Sequence, residues 1–141
     1  MYKISKEFHF CASHRLEGLR ADHPCSRLHG HNYVVTVELE SNYLNQTGFV
    51  VDYRDLDSIK NWIDNACDHK HLVREFVPNE GFKESECYIL GFNPTAENMA
   101  FHFHGLFTEI LATEDKANVR FTISAVTVSE TPKTMARYER P

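Results

Sequence analysis

Hydrophobic and polar positions partly alternate in "YKISKEFHFCASH", residues 2 to 14, and that pattern predicts a first strand. Alternation is cleaner in "HNYVVTVELES", where Tyr33, Val35, Val37 and Leu39 share one face that continues back through His31 and His29. A polar loop over residues 15 to 28 joins the two as a hairpin-like pair, and residues 42 to 49 are turn-rich. The period then changes. In "VDYRDLDSIKNWIDNACD", Leu56, Ile59, Trp62, Ile63 and Ala66 recur at helical spacing, with Asp52 as the candidate N-cap. Residues 74 to 92, with Pro78, Gly81 and Gly91, carry no firm period and read as loop. A second helix starts near "NPTAEN", with Met99, Phe103, Leu106, Phe107, Ile110 and Leu111 as its apolar stripe. "NVRFTISAVTVSE" and "MARYER" close the chain as two strands around "TPKT". The order ββααββ predicts an α+β domain: a four-stranded antiparallel sheet with two helices on one face. Such a sheet has two open edges, and closing a barrel with copies of itself would cover them.

The chain has 141 residues, the size of one domain over 1–141, and its 42% hydrophobic and 25% charged residues suit a folded globule. A net charge of −5 argues against nucleic acid as the main partner, since phosphate-backbone binding needs a basic face. It leaves room for a small anionic substrate, which needs only a few local Lys or Arg. No apolar run approaches the roughly 20 residues of a membrane span. "MYKISKEFHF" lacks a signal peptide's apolar core, so a cytoplasmic location is expected. Cys11, Cys25, Cys67 and Cys87 form no C-x-x-C pair and read as free thiols.

Candidate chemistry concentrates in "HPCSRLHGHNYVV". His29 and His31, two apart on a strand, put both imidazoles on one face with Cα atoms about 6 to 7 Å apart, close enough to share an ion. His14, at the end of the preceding strand, can meet them across the pair. Three neutral imidazoles with a fourth position open form the pattern of a catalytic zinc; the competing reading is a set of unrelated surface histidines. Cys25 lies four residues before His29, where a thiol near a dication and imidazoles is readily deprotonated to act as base or nucleophile. Alternatively it is a plain loop cysteine, or a fourth ligand that closes a structural site. The other three cysteines read as packing residues, and His23 as a loop residue.

Asp68 beside His69 in "CDHKHL" is suited to orient an imidazole and stabilise its protonated form; a polar helix C-terminus is the other reading, and His71 is a second candidate imidazole. His102 and His104 diverge by about 200° on a helix and read as structural or surface. Glu130 ends the apolar stripe of Val126 and Val128, and a carboxylate there is placed either to accept two N–H bonds from a flat heterocycle or to turn into solvent.

In order along nearly the whole chain, "FCASHRL", "CSRLHGHNY", "GFVVDYRDL", "CDHKHL", "NPTAEN" and "VSETP" resemble the 6-pyruvoyl-tetrahydropterin synthase superfamily. The resemblance implies the tunnelling fold (T-fold), an oligomeric barrel, commonly a homohexamer built as a dimer of trimers, with active sites at subunit interfaces. It implies zinc on His14, His29 and His31, Cys25 as the proton-transferring thiol, and Asp68 and His69 as its relay, supplied by a neighbouring subunit. Glu130 would anchor the pterin, and Thr95 would line its pocket. The spacing C-x3-H-G-H is similar to the 6-carboxytetrahydropterin synthases of queuosine biosynthesis, whereas animal-type pyruvoyl synthases more often have C-x5-H-G-H. "HGHNY" is shared with the pyruvoyl branch, and residues 74 to 92 are longer than the family's usual link. The substrate implied is 7,8-dihydroneopterin triphosphate, with Arg15, Arg27, Lys70 and Arg74 as candidate triphosphate partners. Two other classes compete. A cupin-like oxygenase wants Glu four or five residues after the second His, where this chain has Val35 and Thr36, with Glu38 on the opposite face. A non-catalytic zinc-binding assembly module would use Cys25 to complete a closed site.

Overall fold

The computed structural model of the chain describes residues 1–113 and 121–141. Strands β1 (Tyr2–His14) and β2 (His29–Ser41) are followed by α1 (Asp57–Ala66), the short strands β3 (Lys70–Val73) and β4 (Cys87–Ile89), α2 (Ala96–Thr113), and strands β5 (Thr122–Thr131) and β6 (Thr134–Glu139). They form one six-stranded sheet in the order β4-β3-β1-β2-β5-β6. β1 and β2 pair antiparallel without interruption from Tyr2↔Ser41 to His14↔His29. β5 and β6 extend that meander, while β3 joins β1, and β4 joins β3, in parallel.

The expected four-stranded antiparallel sheet is therefore corrected to a six-stranded mixed one. β3 and β4 have only four and three residues, too few to establish a period of two, and both lie between the two helices. Residues 74 to 92 likewise contain a 3-10 turn, Glu84–Glu86, and β4. Residues 118–120, expected to open the penultimate strand, lie outside the described residues.

Burial follows the alternation. Phe8, Phe10, Ala12 and His14 of β1, and Tyr33, Val35, Val37 and Leu39 of β2, point to the helix-covered face. Ile59 and Ile63 of α1 and Met99, Phe103 and Phe107 of α2 close over them. Phe103 and Phe107 stack with centroids 5.2 Å apart, and Trp62 meets both edge-on. Asp52 accepts from the Arg54 N–H, so it caps a 3-10 turn, Tyr53–Leu56, that leads into α1 rather than α1 itself. Cys67 is buried as expected, and burial pushes its thiol up to about 12, which leaves it protonated and inert. Cys11 corrects the packing expectation: it is exposed on the polar face, its thiol 3.0 Å from Asn32 Oδ1.

Candidate metal centre

Register explains how three histidines meet. His14 and His29 are direct partners across β1 and β2, and His31 lies one inward position further along the same face. The three ring centroids are 4.6 to 4.9 Å apart, and one ligating nitrogen from each lies within 4.8 Å of the others. Cys25 and Glu130 are not part of that group.

Hydrogen bonds set the tautomers. His14 Nδ1 is 2.9 Å from Pro94 O, and His29 Nδ1 is 2.7 Å from Arg27 O. A carbonyl only accepts, so each Nδ1 carries the proton and each Nε2 presents a lone pair. Those two Nε2 atoms face each other at 3.0 Å, where neither has a proton to donate. His31 Nε2 is buried without a hydrogen bond and lies 3.4 Å from Glu130 Oε2. Burial, and then the neighbouring imidazoles, lowers the His14 pKa to about 4; burial followed by His29 lowers that of His31. Converging lone pairs on neutral imidazoles fit a dication of zinc type, and the Nδ1–carbonyl bonds are the outer shell such a site needs.

The outer shell continues. Tyr33 Oη lies 3.0 Å from His14 Nδ1, and its ring stacks on Phe10 at 4.8 Å. Burial pushes the Tyr33 phenol above its ordinary range, so it stays neutral. "NPTAEN" works mainly through its backbone and its amides. Asn93 Oδ1 accepts from the Glu17 N–H and Asn93 Nδ2 donates to Glu17 O, Pro94 O holds His14, and Thr95 Oγ1 accepts from the Asn98 N–H as a helix cap. Glu130 is half-buried; burial and then Glu97 raise its carboxyl, while His29 and the Ala96 N–H pull the other way. Thr95 and Glu130 thus both sit at the start of α2.

Cys25 lies in a 3-10 turn, Pro24–Ser26, half-buried. Its N–H donates to His23 Nδ1, and its carbonyl accepts from the Leu16 N–H, drawing the loop back to the end of β1 two residues beyond His14. His23 is accordingly a cap. Asp68 and His69 are not members of the imidazole group, although His69 lines one cleft with His31. Cys11 N–H donates to Asp68 Oδ1, and His69 N–H donates to Cys11 O, so one residue's backbone clamps both. Asp68 Oδ2 is 3.0 Å from His69 Nδ1, leaving Nε2 toward solvent, and the His69 side chain is 80% exposed. The Cys11 N–H and then His69 hold the Asp68 carboxyl below its ordinary value. His69 has φ 60, a left-handed conformation that the clamp sustains. His71, the second candidate imidazole, is engaged by Ser13 Oγ and stacks on Phe82 at 4.1 Å. His102 bonds Tyr88 Oη and His104 bonds Ile123 O, as expected of structural residues.

Sequence reasoning missed Tyr33 as a support, although it is the next inward position after His31. It also missed the carbonyls of Pro94 and Arg27, since a backbone acceptor leaves no mark in residue type.

The family model for 6-pyruvoyl tetrahydropterin synthase matches residues 3–141. The 6-carboxy-5,6,7,8-tetrahydropterin synthase of Haemophilus influenzae is 31% identical, with 99% of each chain covered. That of Rickettsia bellii is also 31% identical, over 94% of this chain and 96% of the relative. Among solved structures, an uncharacterized protein from Wolinella succinogenes superposes with a TM-score of 0.79 at 25% identity, covering 99% of this chain and 98% of that one. The Plasmodium vivax 6-pyruvoyltetrahydropterin synthase superposes with a TM-score of 0.78 at 21% identity over 99% and 97%, a likeness of fold.

Proposed function

The chain belongs to the 6-pyruvoyl tetrahydropterin synthase family, and from that membership we propose that it converts 7,8-dihydroneopterin triphosphate and water to 6-carboxy-5,6,7,8-tetrahydropterin, acetaldehyde and triphosphate. The observation that carries the reading is the pair of deprotonated Nε2 atoms of His14 and His29 facing each other at 3.0 Å, beside the unbonded Nε2 of His31. The names of the relatives from Haemophilus influenzae and Rickettsia bellii support the carboxy product over the pyruvoyl one.

Held by His14, His29 and His31, zinc would supply Lewis acidity to the substrate's side-chain oxygens. Glu130 accepts N–H bonds from the pterin ring and orients it; its position 3.4 Å from His31 brings ring and side chain to the same place. Thr95 shapes the pocket chiefly by holding the start of α2. Cys25, as the thiolate, takes a proton from the substrate side chain and becomes the thiol, and His69, oriented through Nδ1 by Asp68, delivers one from Nε2. The exposure of His69 suits a relay that serves a neighbouring subunit in a homo-oligomer. Absence of Cys25 from the ligand group supports an open fourth position over a closed structural site.

The test is incubation of zinc-loaded protein with 7,8-dihydroneopterin triphosphate, read by mass spectrometry beside Cys25→Ala. Acetaldehyde and the 6-carboxy product, both lost in the variant, are expected. A 6-pyruvoyl product moves the chain to the sister branch, and no turnover with zinc retained sinks the enzymatic reading.

A further inference from the structure

His71 is the candidate imidazole to which the proposed reaction gives no task, and the structure ties it down from two sides. Its Nδ1 is hydrogen-bonded to Ser13 Oγ, and its ring stacks on Phe82 with centroids 4.1 Å and planes 23° apart. Ser13 and His71 are register partners where β1 and β3 pair in parallel, so the bond runs from strand to strand. Ser13 immediately precedes His14, and His71 follows His69 by two residues. One side chain thus joins the strand that ends in the first imidazole of the triad to the segment that bears Asp68 and His69. Phe82 belongs to the stretch 74 to 92, which gives that long link a part in the tie.

His69 needs such support. Its backbone sits at φ 60, a conformation that a non-glycine residue keeps only where neighbouring contacts enforce it. Its side chain is 80% exposed, so the ring is placed by Asp68 and by the backbone beneath it. Two backbone bonds act locally, His69 N–H to Cys11 O at 2.7 Å and Lys70 N–H to Cys67 O at 3.1 Å. Beyond them the position of His69 depends on β3, which has four residues and three register pairs with β1. So short a ladder offers few backbone bonds, and side-chain contacts decide how firmly it sits. Leu72 anchors it in the core, and Lys70 Nζ donates to Ser85 O. Among the described residues, His71 is the one β3 residue whose side chain hydrogen-bonds β1. His71 and His69 also line the same cleft, together with Cys11 and Ser13.

We infer that His71 is a positioning residue and not a second proton carrier. By bonding Ser13 and stacking on Phe82 it holds β3 in register, and through β3 it keeps the His69 imidazole turned to Asp68 in the cleft they share. The inference rests on the proposed role of Asp68 and His69, but the geometry it concerns is readable without turnover.

The experiment is nitrogen NMR at alkaline pH of zinc-loaded protein labelled at histidine, with the His69 signals assigned by their loss in His69→Gln. Free neutral imidazole of histidine prefers its proton on Nε2, so an Nδ1–H signal from His69 marks the bond to Asp68. In His71→Ala that signal is expected to give way to the Nε2–H form. For the proposed reaction, kcat should fall about tenfold while KM and zinc content hold. His71→Asn, whose carboxamide reaches the place of Nδ1 and keeps the bond to Ser13, should retain the His69 signal and a kcat within about twofold of wild type. Ser13→Ala removes the same bond from the β1 side and should reproduce His71→Ala, so the inference stays testable if the latter fails to fold. An unchanged His69 signal in Ser13→Ala or in folded His71→Ala overturns the inference, as does equal loss of the signal in His71→Asn. A fall in kcat with the His69 signal intact overturns it too, since His71 would then act on the substrate directly. If wild type turns nothing over, the synthase reading fails, and the NMR outcomes still decide this one.

Discussion

His14 is where strand, helix and site meet. It ends β1, is 1% exposed, and contacts Pro94 O, Tyr33 and His29 through its two nitrogens. Tyr33→Phe removes one outer-shell partner while keeping the ring that stacks on Phe10, so zinc affinity should fall about tenfold with the fold intact; competition against a chromogenic chelator measures it. A pH effect follows from burial. The unfolded chain protonates His14 near its ordinary value of 6.5, but the native state does so only near 4. The metal-free protein is thus expected to keep the full contribution above about pH 6.5 and to lose it as pH falls toward 4, by on the order of 3 kcal/mol. His31 is shifted the same way, whereas the raised Glu130 acts in the opposite sense. Urea melts at pH 7.5 and 5 should therefore be compared with His14→Gln, in which the loss on acidification should be smaller; an equal loss sinks the assignment.

At the scale of elements, the start of α2 joins the helix to the site. Thr95 caps it, Pro94 O orients His14, and the Ala96 N–H reaches Glu130. Thr95→Ala should cost about 1 kcal/mol in urea denaturation, the usual loss on removing a cap. If Thr95 also acts through the position of Glu130, the KM for the pterin substrate rises while zinc content stays the same. The long elements were legible because their periods are long: β2 alternates through Tyr33, Val35, Val37 and Leu39, and all four are buried. β3 and β4 were not, since three or four residues carry no period and their parallel pairing depends on β1 being already in place.

On the scale of the whole molecule, β4 and β6 leave the sheet open at both edges. Ile89 on one and Met135 on the other are 45% and 69% exposed. Among the described residues, no helix is long and apolar enough to cross a membrane. If the relay of Asp68 and His69 serves a neighbour's Cys25 in a homo-oligomer, inactive Cys25→Ala and His69→Ala chains should complement. Refolded together in equal amounts, they should recover about a quarter of wild-type activity, because that fraction of sites draws both intact residues from different chains. No recovery in mixed oligomers, verified by mass spectrometry, places both residues in one subunit.

What was readable without coordinates is whatever residue type and short spacing encode: two long strands, two amphipathic helices, H-x-H on the inward face, and the ordered stretches that carry the family. These depend on local periodicity and on chemistry intrinsic to a side chain. Tertiary structure alone decided what depends on distant chain segments meeting. It brought the Pro94 carbonyl to His14 and so set its tautomer, left Cys25 out of the ligand group, and clamped His69 at φ 60 through Cys11. It also put Glu80 against Arg15. Backbone acceptors are the same atoms at every residue, and an ion pair between positions 65 apart in sequence exists only once the chain has closed on itself.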